Sequence, residues 1–97
     1  MVKRLLKEIK IDKELLLLIN KEGYILNVTW NHVIKLHLTS CRCCNPNRVF
    51  GIKVESKIEN KTGETWYSDK KSEATAKARE IVKNKGYEYS TCGICNP

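Results

Sequence analysis

The phrase Cys-x-x-Cys-Asn-Pro occurs twice in this chain, at Cys41–Pro46 and again at Cys92–Pro97. A Cys-x-x-Cys turn curls its backbone so that two sulfurs face one point, and two such turns complete a tetrahedral shell of the kind zinc favours. The pairs Cys41/Cys44 and Cys92/Cys95 are therefore the expected ligands of one structural Zn2+ site. Because 47 residues separate Cys44 from Cys92, a whole supersecondary unit must leave the first turn and return to the second. Compact zinc ribbons and fingers have shorter inserts.

The same residues suit other chemistry. An iron–sulfur cluster is also held by four cysteines, disulfides use them in pairs, and either pair alone has the spacing of a redox dithiol. Zinc is the expected occupant because two matched pairs fit one shared metal and nothing in the chain signals secretion. Cys43 is the fifth cysteine. It can replace Cys44 as ligand, giving Cys-x-Cys, although the duplicated Asn-Pro tail favours Cys44. Asn45 and Asn96 tolerate left-handed backbone, whereas the prolines that follow them favour extended geometry.

Ninety-seven residues are expected to form a single domain, 1–97. The apolar run Leu15 to Ile19 is too short for a membrane span and is flanked by charge, unlike a secretory signal. A cytoplasmic protein with reduced thiols is expected. The formal net charge is +7, and the excess sits near the two ends. Lys3, Arg4, Lys7, Lys10 and Lys13 oppose Glu8 and Asp12 in the first thirteen residues. Lys70, Lys71, Lys77, Arg79, Lys83 and Lys85 oppose Glu73 and Glu80 in a later block. Such a distribution suits a polyanionic partner, although lysine-rich surfaces also keep small domains soluble.

Periodicity gives the expected elements. Residues 2–10 read as a short basic helix with Leu5, Leu6 and Ile9 on one side. Residues 48–68 read as a β-hairpin, with Phe50, Ile52, Val54 and Ile58 alternating before Asn60-Lys61-Thr62-Gly63 and Thr65-Trp66-Tyr67 following it. Asn20-Lys21-Glu22-Gly23 has the same form, so Leu15–Ile19 and Tyr24–Trp30 make a second hairpin. Its rival is a helix over 13–22 opened by Asp12 and stopped at Gly23. Ile34, Leu36 and Leu38 alternate with Lys35, His37 and Thr39 in a half-buried strand that leads into the first cysteine turn. Residues 70–85 form the clearest helix, started by Ser68 or Asp69, ended by Gly86, and carrying an Ala74–Ala78–Ile81–Val82 stripe. Tyr87-Glu88-Tyr89 returns extended to the second turn. The expected class is α+β: an antiparallel β-meander packed by one long C-terminal helix and stapled by a four-cysteine zinc site.

Residues 48–82 resemble the strand–strand–helix half of a double-stranded RNA-binding domain, in which lysines, here Lys70 and Lys71, open a helix carrying Ala74 and Ala78. The resemblance covers about a third of the chain and leaves out the cysteine turns, which such domains generally lack. It implies the same kind of partner as the charge does.

Catalysis is not expected. His37 can approach Cys41, but Cys41 is better explained as a ligand. No carboxylate pair or glycine-rich phosphate loop is evident. The expected function is a zinc-binding module that contacts nucleic acid mainly through phosphates, using Lys70, Lys71, Arg79 and Lys83 with Arg42 and Arg48 beside the first turn. Trp30, Trp66, Tyr67, Tyr87 and Tyr89 can stack on bases where they are exposed. The alternative is a protein-binding adaptor or inhibitor in which zinc only stiffens the scaffold.

Overall fold

A computed structural model describes residues 6–29, 32–47, 51–60, 63–93, 95 and 97. Five strands form one sheet in the order β1-β4-β2-β3-β5. They are β1 (Lys7–Glu8), β2 (Tyr24–Val28), β3 (Val33–Leu38), β4 (Glu64–Ser68) and β5 (Glu88–Thr91). Three helices, α1 (Asp12–Leu18), α2 (Val54–Glu59) and α3 (Lys71–Lys85), lie between strands in the chain.

The sheet is mixed, not the expected antiparallel meander. β2 runs antiparallel to both β3 and β4, so those two point the same way, and β5 pairs parallel with β3. The cause is α3. Its fifteen residues span about 22 Å at the helical rise, enough to carry the chain from the end of β4 back to the start of β5. A parallel strand needs such a crossover. Gly86 ends the helix in left-handed conformation (φ 72°), with its N–H donating to the Val82 carbonyl at 2.8 Å.

Both faces of the sheet are covered. Leu26, Val28, Ile34 and Leu36 pack against Ala74, Ala78 and Ile81 of α3. The small alanines let the helix lie close, as the stripe predicts. On the other face Ile25 and Tyr67 meet Ile9, Leu15, Leu18, Ile52 and Val54 together with Cys41, Cys44 and Cys92. The polar alternation in β3 consequently does not mark a solvent face: His37 and Thr39 are only 4% and 3% exposed.

Three local expectations are corrected. The helix prevails over the hairpin at 12–18, with Leu15 and Leu18 buried one turn apart. Gly23 does not terminate this helix but enters β2 at φ 153°, where a Cβ would stand 2.7 Å from the Tyr67 ring. The hairpin expected over 48–68 survives only in β4. Residues 54–59 form α2, because Val54 and Ile58 fit a helical i,i+4 spacing as well as alternation. The two short helices also cap each other. The Asp12 carboxylate accepts from the Val54 N–H at 2.6 Å, and the Glu55 carboxylate accepts from the Asp12 N–H at 2.7 Å. With a helix in place of the first strand, the resemblance to the RNA-binding half-domain does not extend to the structure. Finally, Lys7–Glu8 within the expected basic helix is strand β1, paired to β4, and the adjoining Ile9 N–H donates to the Thr65 carbonyl at 2.8 Å.

Candidate metal centre

Because β3, β4 and β5 run in one direction, their C-terminal ends share one edge of the molecule. The first cysteine turn follows β3, the start of α3 follows β4, and the second cysteine turn follows β5. The 47 residues between the turns are spent on one crossover that returns the chain beside its starting point.

Backbone hydrogen bonds build the first turn. The Leu38 carbonyl accepts from the Cys41 N–H at 3.0 Å, and the Cys41 carbonyl accepts from the Cys44 N–H at 2.9 Å, which makes a single 3₁₀ turn over Arg42–Cys44. Asn45 is extended (φ −82°, ψ 112°), so the proline sets its geometry. The Asn45 side chain instead accepts from the Asn47 N–H at 2.9 Å, an Asx-type turn. At the second turn the Cys92 N–H donates to the Leu36 carbonyl at 2.9 Å and so extends the β3–β5 ladder by one rung.

The ligand atoms of His37, Cys41, Cys92 and Cys95 converge, all lying within 4.8 Å of one another. The Cys41 and Cys92 sulfurs are 4.0 Å apart. Two thiolates on a tetrahedral zinc stand roughly 3.8 Å apart, given a zinc–sulfur bond of about 2.3 Å. No disulfide joins Cys41, Cys44, Cys92 or Cys95. The Leu38 N–H donates to Cys95 Sγ at 3.3 Å. His37, Cys41 and Cys92 are buried and Cys95 is half-buried. The arrangement is compatible with a metal site.

Three of the four expected ligands therefore meet, and His37 stands with them. Cys44 is fully buried in the same apolar cluster, but its sulfur donates to the Leu38 carbonyl at 3.4 Å. The Cys43 side chain lies outside the described residues. Sequence reasoning missed His37 because alternation placed it on a solvated strand face. The available signal was its position four residues before Cys41 on a strand leading into the cysteine turn.

The cations expected to meet phosphate are distributed over two regions. Lys70 and Lys71 are exposed at the start of α3 and Arg42 is exposed on the 3₁₀ turn, so all three belong to the edge that holds the cysteines. Lys71 Nζ donates to the Pro97 carbonyl oxygen at 3.1 Å. Arg79 and Lys83 are exposed one turn apart on α3, away from its buried stripe. Arg48 and Trp30 lie outside the described residues. The acids of α3 turn elsewhere: Glu73 accepts from Ser68 at 3.0 Å, and Glu80 lies 3.5 Å from Lys77. Among the described residues no carboxylate pairs with Arg79 or Lys83.

Several aromatics have structural occupations. Trp66 lies under the Lys77 ammonium, 4.2 Å from its ring centroid, and its indole N–H donates to Glu64 at 3.1 Å. Tyr67 is buried, its hydroxyl donating to the Glu22 carbonyl at 3.1 Å. Burial, and then the Asp69 charge, push its phenol above the ordinary range against the opposing pull of Lys7. Tyr87 stacks on His32 at 4.7 Å between centroids.

Among the described residues, no helix is long and apolar enough to cross a membrane. Comparison with protein-family models, with curated proteins and with solved structures found no match to this chain.

Proposed function

We propose that this chain is a zinc-stapled α+β module that recognises a polyanion, nucleic acid above all, and performs no catalysis. Zinc is held by His37, Cys41, Cys92 and Cys95. The convergence of these four side chains within 4.8 Å carries the reading. One imidazole and three thiolates make a closed structural shell, which zinc accepts without geometric preference of its own. With four protein ligands no position is left for water or substrate, so the ion holds structure together.

The recognition surface is α3. Lys70, Lys71, Arg79 and Lys83 all project to solvent, and for Arg79 and Lys83 the helix's own acids are engaged with other groups. Phosphate contacts of this kind give affinity without base identity. Metal content and binding are tested together. Elemental analysis should find one zinc per chain, and titration with single- and double-stranded DNA and RNA across a salt series should show affinity falling as salt rises. A chain purified without metal counts against the staple. A chain that binds no nucleic acid at low salt counts against the partner.

A protein-binding adaptor is the second reading. Leu17 on α1 and Ile11 beside it are 63% and 47% exposed, and an apolar patch marks protein contacts more than phosphate contacts. It gains from a zinc-loaded chain that ignores every nucleic acid tested.

A further inference from the structure

Cys44 has no part in the shell proposed above, yet it is fully buried within the same cluster. A sulfur placed there for packing alone need not lie in Cys-x-x-Cys spacing with a ligand. Leu38 relates it to the centre. The N–H of Leu38 donates to Cys95 Sγ at 3.3 Å, while its carbonyl accepts from Cys44 Sγ at 3.4 Å. The N–H and C=O of one extended residue point to the same side of a strand. Cys95 and Cys44 thus occupy neighbouring positions along one edge of β3, the first as acceptor and the second as donor.

We infer that Cys44 is an exchangeable fifth ligand of this centre, replacing His37 when the ion is more thiophilic than zinc or when the imidazole is withdrawn. The inference rests on the metal reading above and deepens it. In the exchange the metal–nitrogen bond to His37 breaks, a metal–sulfur bond to Cys44 forms, and the Cys44 thiol proton passes to bulk water. The resulting shell is Cys41, Cys44, Cys92 and Cys95. The movement gives up the Cys44 bond to the Leu38 carbonyl. A thiol is a weak hydrogen-bond donor, and the Leu38 carbonyl keeps its bond from the Cys41 N–H at 3.0 Å. A single χ1 jump carries a cysteine sulfur roughly 3 Å. Soft cations prefer thiolate to imidazole, so cadmium should favour the four-sulfur shell where zinc and cobalt retain His37.

Two measurements test this. Wild-type protein loaded with cadmium-113 should give a resonance in the four-sulfur range, while the same protein loaded with cobalt(II) should give the tetrahedral spectrum of three sulfurs and one nitrogen. In H37A the cobalt sulfur-to-metal absorbance should rise by roughly one third, as three sulfurs become four. Its affinity should stay within about tenfold of wild type, whereas the double variant H37A/C44S should lose on the order of 100-fold. A cadmium shell that keeps its nitrogen overturns the exchange, as does H37A cobalt absorbance fixed at three sulfurs. A wild-type cobalt spectrum of four sulfurs overturns it differently, by making Cys44 the resident ligand. Wild-type protein that takes up neither ion rejects the metal reading itself. Because the cadmium measurement uses the unaltered chain, a folding defect in a variant cannot decide the outcome.

Discussion

Leu26, Val28, Ile34 and Leu36 on one sheet face meet a single fifteen-residue helix, whereas Ile25 and Tyr67 on the other meet two helices of seven and six residues and the cysteine turns. The first face is an ordinary aliphatic contact with a continuous partner. The second is a set of short pieces, each below the length at which a helix is stable alone, enclosing a histidine and three fully or largely buried sulfurs. Local propensity and apolar area suffice for the α3 face. On the second face, called the knuckle face after its cysteine turns, the segments are held by one another's side chains, as in the reciprocal Asp12–Glu55 capping, and by the proposed zinc. The difference suggests a division of work in which α3 supplies a fold and a charged surface while the metal fixes the segments beneath.

The largest expected effect away from the metal falls on the α3 face. Leu36 is fully buried, and Leu36→Ala should cost about 2–5 kcal/mol of stability. Because this contact does not involve the ion, the loss measured by denaturant melting should be similar in proteins differing only in zinc loading. A loss confined to the zinc-loaded protein would erase the distinction between the faces. Gly23 comes next. Its positive φ and the 2.7 Å approach of the Tyr67 ring make Gly23→Ala destabilising by about 1–3 kcal/mol, with zinc stoichiometry unchanged. A neutral result would mean that the β2 entrance yields more easily than a packed site should.

Asp12→Ala removes the acceptor for the Val54 N–H and should cost about 1 kcal/mol, the scale of a lost helix cap. The loss should appear as faster amide exchange in α2, with α3 unaffected. Equal acceleration of both helices would show the faces to be more tightly coupled than described. The smallest effect on stability is expected from Arg79→Ala with Lys83→Ala, within about 0.5 kcal/mol of wild type since both are exposed. The same pair should weaken nucleic-acid binding and flatten the slope of log affinity against log salt by roughly 0.7–0.9 per contact. An unchanged slope would remove these two residues from the proposed surface.

The contrast between the faces also explains what could be read before the fold was known. The α3 stripe, its stop at Gly86, strand β3 and the return through β5 all follow from periodicity, because each is a regular element packed on a continuous surface. The cysteine motif likewise implied that distant segments meet. Errors concentrate on the other face. Leu15–Ile19 and Val54–Ile58 are short apolar runs that fit strand and helix alike, and the deciding interaction, mutual capping between residues 42 apart in the chain, has no local signature. His37 was misplaced for a related reason. Alternation separates the two faces of a strand but does not say whether the polar one is covered. The parallel β3–β5 pairing, which brings the cysteine turns side by side, depends on the length and path of α3.

The central claim is that metal secures the knuckle face and not the α3 face, and amide hydrogen exchange with and without a zinc chelator tests it most directly. On chelation, the amides of Leu15, Ile19, Cys41 and Cys44, each hydrogen-bonded on the knuckle side, should lose protection by a factor of 100 or more, a modest part of the ~10 kcal/mol that structural zinc supplies in small fingers. The Ala74–Val82 amides of α3 should change little. Equal loss in both sets would make the metal a requirement for the whole domain, and no loss in either would show that this face closes without it.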